Sequence, residues 1–307
     1  MTSSKQFDYA FADSRIRGSI DWYSKNTEDL LFRLEAGQPA PNPFFFGNLD
    51  ANIKNTGLEF GISADLVENS NFSWTPTFNI AFNDNVVENM DDFILTGAIS
   101  GPGLTGATAQ AITGGQPLFS YFMEEFNGFD ESGNTIVSEG GAKFVGKSPL
   151  PTYNFGFSNS LQFGNLDLNV FIMGQGGHYI YNNNGNAFFY KAALETSGLN
   201  VTQDILDNTE ASGNGNGVST RWLEKGDFIR LQNATLGYNI GTGDNEFVRS
   251  LRLSLTVQNL FTITDYSGQD PEVNVDKSIG GIPSRGIDYT AYPRARAITL
   301  GLNIKLK

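Results

Sequence analysis

The chain has 307 residues, no cysteine, a single histidine and a formal net charge of −13 at pH 7. The lack of cysteine excludes disulfides, thiol catalysis and cysteine-ligated metals, and one histidine gives little basis for a histidine metal site or a Ser-His-Asp relay. The acidic balance argues against nucleic acid, whose phosphates require a basic surface. We therefore predict no enzymatic activity, no metal and no cofactor.

The composition favours strands and turns over helices. The chain contains 35 glycines, 25 phenylalanines and 11 tyrosines, and only 17% of its residues are charged. It has no run of about 18 apolar residues, so a membrane role would require a barrel of strands. The first residues also lack the basic start and apolar stretch of a secretory signal.

Alternation of apolar and polar residues predicts about nine strands, with no helix between them. The first strands are predicted around Phe7 to Phe11 and Ile16 to Trp22. The later ones are predicted around Leu58 to Leu66, Phe72 to Phe82, Tyr153 to Phe163, Leu166 to Ile172, Phe228 to Ile240, Leu251 to Ile263 and Ala297 to Leu306. A bulge is expected at Pro76, which lacks a ladder donor. The change of apolar parity within Phe228 to Ile240 predicts either a second bulge or a strand that continues above the lipid level.

The connections between these strands alternate between short and long. The short ones are Ala12 to Ser14, Glu68 to Asn71, Gly164 to Asn165 and Gly241 to Ser250. The long ones are Asn26 to Asp50, Glu88 to Leu150, Asn182 to Lys225 and Asp265 to Ala291. Short turns at one end and long loops at the other are typical of an outer-membrane barrel, with short periplasmic turns and long extracellular loops.

The polar face of the strands carries amides and hydroxyls rather than charges, as in Asn154, Ser158 and Gln162. This pattern favours a wet interior over the Lys- and Glu-rich exterior of a soluble sandwich. The fold class predicted is therefore all-β: an antiparallel transmembrane β-barrel segment whose apolar side chains face outer-membrane lipid.

Three stretches in the last third of the chain carry a family resemblance: RWLEKGDFIRLQNATLGYNI (221–240), QNLFTITDYSGQDPEVN (258–274) and YPRARAITLGLNIKL (292–306). With NTGLEFGISADLV (55–67), they resemble the C-terminal barrel part of the SusC/RagA family of TonB-linked outer-membrane transporters of Bacteroidota. The resemblance implies that residues 1–307 are the last strands of a barrel of about 22 strands. It also implies that the plug domain, the TonB box and the signal peptide are absent, so that the chain is a fragment.

The resemblance further implies a function in the cell outer membrane. The intact protein would import oligosaccharides or peptides beneath a SusD-like surface lipoprotein, with energy delivered by TonB through the plug region. Two alternatives remain open at this point. One is an outer-membrane adhesin or secretion barrel, and the other is a soluble carbohydrate-binding β-sandwich.

The long loops supply candidate ligand contacts, because aromatic faces stack on sugars or apolar groups and amides bond hydroxyls and carbonyls. Eight residues are predicted as such contacts: Phe44, Phe45, Phe46, Tyr179, Tyr181, Asn182, Asn183 and Trp222. The competing interpretation is that they pack the loops together. His178, in the GQGGH segment, is interpreted as an ordinary loop residue.

Overall fold

A computed structural model of the chain describes residues 1–37, 39–49, 51–243 and 247–307. The first part of the chain contains β1 (Thr2–Phe11), β2 (Ile16–Thr27), β3 (Leu30–Glu35), β4 (Phe44–Leu49), β5 (Asn52–Ala64), β6 (Val67–Glu68) and β7 (Phe72–Glu88). The next contains β8 (Ile94–Ala98), β9 (Thr108–Ile112), β10 (Ser120–Met123), β11 (Phe126–Phe129), β12 (Thr135–Val137), β13 (Lys143–Phe144), β14 (Tyr153–Phe163) and β15 (Leu166–Gly176).

A mixed segment follows, with β16 (Tyr179–Asn182), α1 (Asn183–Phe188), α2 (Lys191–Ser197), α3 (Gln203–Asp207), a 3-10 helix (Thr220–Trp222) and β17 (Leu223–Lys225). The last part contains β18 (Phe228–Ile240), β19 (Val248–Gln258), β20 (Thr262–Thr264), β21 (Ile287–Asp288) and β22 (Ala297–Leu306). Within the described residues, no helix combines the length and the apolar character needed to cross a membrane.

One antiparallel sheet, here called the main sheet, organises the chain. Its hydrogen-bonded path runs in chain order through β1, β2, β5, β7, β14, β15, β18, β19 and β22. These strands overlap the regions predicted from alternation, but the predicted region Leu251 to Ile263 is divided between β19 and the short β20, which pairs with β18. Because sequential strands are neighbours, their connections fall alternately at the two ends of the sheet.

The long connections lie at one end of the main sheet, as the sequence predicts, and are named loop A (28–51), loop B (89–152), loop C (177–227) and loop D (259–296). At the other end, β1 and β2 are joined by Ala12 to Arg15, and β14 and β15 by Gly164 and Asn165. The predicted Gly241 to Ser250 turn includes residues 244–246, and the predicted Asn26 to Asp50 loop includes residues 38 and 50; these five lie outside the described residues.

Apolar side chains form rows across one face of the main sheet, because directly paired residues point to the same side. One row follows the strand pairing through Trp74, Leu161, Leu168, Leu236, Leu255 and Leu300. A second row crosses the sheet higher up through Phe7, Ile20, Phe60, Ile80, Phe155, Gly174, Ile229 and Ile263.

This apolar face is open to its surroundings rather than covered by a second sheet. Leu255 is 43% exposed and Leu300 is 73% exposed. A soluble sandwich would press such residues between two sheets. The soluble-sandwich alternative is therefore not supported by the fold.

The two irregularities expected from the sequence have different origins. In β18, Asn233 pairs with Phe171 and Leu231 pairs with Ile172, so Gln232 is the extra residue of a bulge, which confirms the prediction from the parity change. At Pro76 the ladder between β7 and β14 runs on without a shift. The extra residue lies instead in the strand that pairs with β7 on its other side, in the interruption between the end of β5 at Ala64 and the start of β6 at Val67.

The prediction that no helix separates the strands is wrong for loop C. The helices α1, α2 and α3 contain six, seven and five residues, respectively. Such short helices carry too few turns for an apolar repeat to be visible in the sequence. Local chemistry sets α1 instead, since the Asn182 side chain accepts a hydrogen bond from the Gly185 backbone N–H at 2.9 Å.

Most of the buried apolar core lies among the loops rather than in the main sheet. One cluster joins loops B, C and D through Ile99, Leu104, Ala109, Tyr121, Met123, Tyr181 and Ile287. A second consists of Ala51, Val87, Met90 and Ile112. The loops are thus a packed layer over one end of the sheet.

Candidate functional site

The eight predicted contact residues occupy separate places in the loop layer. Phe44, Phe45 and Phe46 belong to the β3–β4 hairpin of loop A, where Phe45 and Phe46 are exposed. The Arg33 guanidinium carbon lies 3.9 Å from the centre of the Phe44 ring, and Phe44 and Phe46 meet edge to face. This hairpin presents an exposed aromatic surface at the long-loop end of the main sheet.

Tyr181 and Asn183 are fully buried, so the structure places them in the loop core and not on a ligand surface. Tyr181 pairs in parallel with Ile287, which joins loop C to loop D. Asn182 caps α1 and also donates from Nδ2 to Glu224 Oε1 at 2.9 Å. The packing interpretation thus describes Tyr181 and Asn183, whereas Asn182 has both a structural role in capping α1 and a place at the edge of a concave site described below.

Trp222 is half-buried against Gly185, where any larger residue would clash, since a Cβ there would lie 2.3 Å from the indole ring. The Arg221 guanidinium carbon lies 4.8 Å from the Trp222 ring centre. Arg221 also forms two hydrogen bonds of 2.8 Å with the buried carboxylate of Glu210. Burial alone would raise the pKa of Glu210, but these contacts with Arg221 lower it overall.

Tyr179 is the predicted residue that lies in the concave site with the clearest binding chemistry. A cavity of about 700 Å³, here called the wall cavity, opens between the upper ends of β2, β5, β7 and β14 and residues of loops B and C. Its lining includes Tyr23, Asn55, Asn83, Asn85, Lys147 and Tyr179. The Lys147 ammonium nitrogen lies 4.5 Å from the centre of the Tyr179 ring.

The polar side chains of the wall cavity are ordered by hydrogen bonds among themselves. Asn85 Oδ1 accepts from the Leu118 backbone N–H at 2.8 Å, and Asn85 Nδ2 donates to Asn55 Oδ1 at 2.8 Å. The Tyr23 hydroxyl donates to Asn83 Oδ1 at 2.7 Å. The site is therefore pre-organised on strands, which fix side chains more firmly than loops do.

A second concave site of about 850 Å³ lies in loops C and D, with Asn182, Phe188, Ser267 and Tyr292 among its lining residues. A smaller one of about 280 Å³ lies beside Trp222 and Arg221. Sequence reasoning missed Tyr23, Asn55, Asn83 and Asn85 because it searched the loops. The asparagines among them could have been found from the sequence, because amide side chains recur at every second position near the strand ends, on the face opposite the apolar rows.

No family model matches the chain. The chain is 28% identical over 353 residues to TonB-dependent receptor P3 of Formosa agariphila, a match that covers 99% of this chain and 34% of that protein. It is also 28% identical over 330 residues to TonB-dependent receptor SusC of Bacteroides thetaiotaomicron, covering 97% of this chain and 31% of that one. The chain thus spans about a third of the length of these relatives.

Solved structures give the same picture of the fold. A chain of the RagAB peptide importer in the open-open state superposes with a TM-score of 0.81 at 20% identity, covering 99% of this chain and 34% of that one. The closed-closed state gives a TM-score of 0.80 at 20% identity, covering 99% and 35%. The relatives are named receptors and importers rather than enzymes.

The matches and the exposed apolar rows agree on the setting of the main sheet. It is a segment of an antiparallel outer-membrane β-barrel, with its apolar face toward lipid and its amide-bearing face toward the interior. The packed loops A to D are the long connections and lie at the extracellular end of the main sheet. The wall cavity consequently opens on the inner side of the barrel wall, directly beneath the loop layer.

Proposed function

We propose that this chain, which resembles SusC-type TonB-dependent receptors over nearly its whole length, forms the C-terminal barrel wall of an outer-membrane importer of oligosaccharides or peptides. In this proposal the main sheet separates lipid from a polar passage. Loops A to D gather the ligand at the outer end, and the wall cavity contacts it on the way in. The protein performs no covalent chemistry.

One observation carries the proposal most directly. The main sheet keeps many apolar side chains exposed on one face, whereas its other face presents a cavity with ordered amide side chains beneath the packed loops. A barrel that only anchors another domain has no need of an ordered amide cavity on its inner wall. The peptide importer among the structural neighbours supports an import function in the same way.

Two partners belong to this proposal. A SusD-like surface lipoprotein would close over loops A to D, and the exposed Phe45 and Phe46 are the first residues to examine for that contact. TonB would act through a plug region belonging to the part of the relatives that this chain does not cover.

The test is uptake by cells that express the protein, compared with cells that lack it. Fluorescent oligosaccharides and peptides are offered separately, with and without a protonophore that removes the energy supplied to TonB. We expect uptake of one ligand class that requires both the protein and the energised inner membrane.

Uptake that needs the protein but survives de-energisation would contradict the TonB-dependent mechanism. A cell-adhesion or secretion defect without any uptake defect would favour the adhesin or secretion alternative. Co-purification of a surface lipoprotein from detergent-solubilised membranes tests the partner independently.

A further inference from the structure

We propose that the wall cavity recognises a carboxylate group on the imported ligand, an inference that rests on the proposed import function and names its substrate class. The amide oxygens of Asn55, Asn83 and Asn85 accept hydrogen bonds within the protein, whereas the amide nitrogens of Asn55 and Asn83 keep free donors. A ligand group that brings acceptors would satisfy these donors. Three features of the cavity lead to this conclusion.

The first feature is the direction of the amide chain that begins at Leu118. A backbone N–H can only donate, so the bond from Leu118 N fixes Asn85 Oδ1 as its acceptor. Asn85 Nδ2 then donates to Asn55, whose contacting atom must be Oδ1. This leaves the two N–H groups of Asn55 Nδ2 as the unused polar groups of that side chain.

The second feature is the same arrangement at Asn83, which lies two residues before Asn85 on β7. Asn83 Oδ1 accepts the Tyr23 hydroxyl hydrogen at 2.7 Å, so the Asn83 side chain likewise retains its Nδ2 donors. Asn55 and Asn83 lie on neighbouring strands and both line the wall cavity. Together they place two amide donors on the same wall.

The third feature is the ammonium group of Lys147, at the loop B side of the same cavity. Its contact is the face of Tyr179, and among the described residues no carboxylate lies within ion-pair distance of it. Charge-assisted hydrogen bonds from an ammonium to a carboxylate are about twice as strong as neutral ones. Lys147 is thus available as the cation that such a ligand needs.

One acidic residue, Asp84, also borders the cavity and would repel a carboxylate if it pointed inward. It lies between Asn83 and Asn85 on β7, and successive side chains of a strand point to opposite faces. Its side chain is exposed, on the face that carries Phe82. The Asp84 carboxylate therefore points to the opposite face of β7 from the amide donor of Asn83.

Carboxylates occur both at the ends and acidic side chains of peptides and in uronic-acid oligosaccharides. The wall cavity specifies the shared group, and the experiment separates the two sources. Matched probe pairs differ only in that group: a tetrapeptide with a free C-terminus against its C-terminal amide, and a trigalacturonate against its methyl ester.

Binding of these four probes is measured by calorimetry on the protein purified from outer membranes in detergent. We expect the acid of one pair to bind at least about tenfold more tightly than its neutral form, the ratio that one charge-assisted hydrogen bond supplies. This preference should weaken as ionic strength rises, since Lys147 is exposed.

Two variants test the residues. Lys147→Gln removes the cation but keeps the length of the side chain. Asn55→Asp keeps an oxygen for Asn85 and replaces the Nδ2 donors with a charged oxygen, without changing side-chain volume. Each should reduce the acid preference about tenfold, and Asn55→Asp should do so even though it preserves the fold of the wall.

Matched controls carry the same charge changes on loop B, away from the wall cavity. Lys143→Gln removes a cation that pairs with Glu125 at 2.7 Å, and Asn127→Asp adds an anion at an exposed site. Both should leave the acid preference unchanged. If the acid and neutral probes bind equally, or if Lys147→Gln behaves like Lys143→Gln, the carboxylate inference is wrong while import itself stands. If no probe binds and no uptake occurs, both proposals fail.

Discussion

Arg230 holds loop D against the main sheet through charges that are almost wholly removed from water. Its side chain is 2% exposed and its guanidinium bonds Asp270 at 2.5 Å, Glu272 and the Thr262 hydroxyl. Burial alone would raise the pKa of Asp270, but hydrogen bonds from the Glu272 backbone N–H and from Arg230 lower it overall. The QDPEVN segment noted in the sequence is therefore a structural anchor.

Replacing Arg230 by methionine keeps most of the side-chain volume, leaves the buried Asp270 without its cation, and leaves Glu272 with only the half-exposed Arg294. We expect a loss of about 3–5 kcal/mol in the free energy of unfolding, as for other broken buried ion pairs. The loss is measured by urea unfolding in detergent, with the rate of proteolysis of loop D as the readout.

Arg252→Met is the matched control, because its pair with Asp167 is partly open to water. An equal loss in both variants would contradict the role assigned to burial. The triple variant Arg230→Met, Asp270→Asn, Glu272→Gln should recover much of the loss, since no buried carboxylate is left without a cation and Arg294, which loses Glu272, is exposed to water.

His178 is buried, and burial lowers its pKa while the nearby Asp227 opposes that effect. A depressed pKa means that the unfolded chain binds the proton first. Stability of loop C is therefore complete above the unfolded value of about 6.5 and falls as the pH drops below it, by up to about 1.4 kcal/mol per pH unit.

His178→Gln should remove this pH dependence between pH 7.5 and 5.5. Thermal unfolding of both proteins across that range provides the measurement. A wild-type profile as flat as that of the variant would show that folding does not lower the pKa of His178, and would contradict the prediction.

Residue types were easier to predict than residue roles. The sequence singles out aromatic and amide residues in the long loops, and Tyr179 does line the wall cavity. Tyr181 and Asn183 have the same chemistry but lie in the loop core, because β16 pairs with β21 from loop D. That long-range pairing has no local signature in either segment.

At the scale of elements, alternation predicts the strands of the main sheet because each has one apolar and one polar face. Even the bulge at Gln232 is visible in the sequence, since an extra residue inverts the parity that follows it. The helices of loop C were missed because helices of five to seven residues depend on caps and packing.

The strand β19 offers the sharpest test of which face meets lipid. Leu255 lies in an apolar row, whereas the adjacent Thr256 points the other way and its hydroxyl lies 3.0 Å from that of Thr235. Leu255→Lys should cost about 2–4 kcal/mol of folding free energy in lipid, the value for a cation near the bilayer midplane.

Thr256→Lys, the matched control, introduces the same cation on the interior face and should cost clearly less. Folding into lipid vesicles from urea gives both values. A larger cost for Thr256→Lys than for Leu255→Lys would reverse the assignment of the two faces.

At the scale of the whole molecule, the chain divides its apolar residues between two uses. Those of the main sheet stay exposed in rows, and those of loops B, C and D bury one another in a compact cluster. The long connections form this cluster at one end of the main sheet, whereas short turns join its strands at the other. Composition and loop lengths indicate the layout, but the packing of the loops emerges only from contacts between distant segments.

The central claim is that the apolar face of the main sheet contacts acyl chains, and the absence of cysteine from the chain makes it directly measurable. Single cysteines at Leu253, Ser254, Leu255, Thr256 and Val257 are spin-labelled in outer-membrane vesicles, and collisions with oxygen and with a water-soluble nickel chelate are compared. Labels at 253, 255 and 257 should favour oxygen, and those at 254 and 256 the chelate. The opposite alternation, or none at all, would contradict the account.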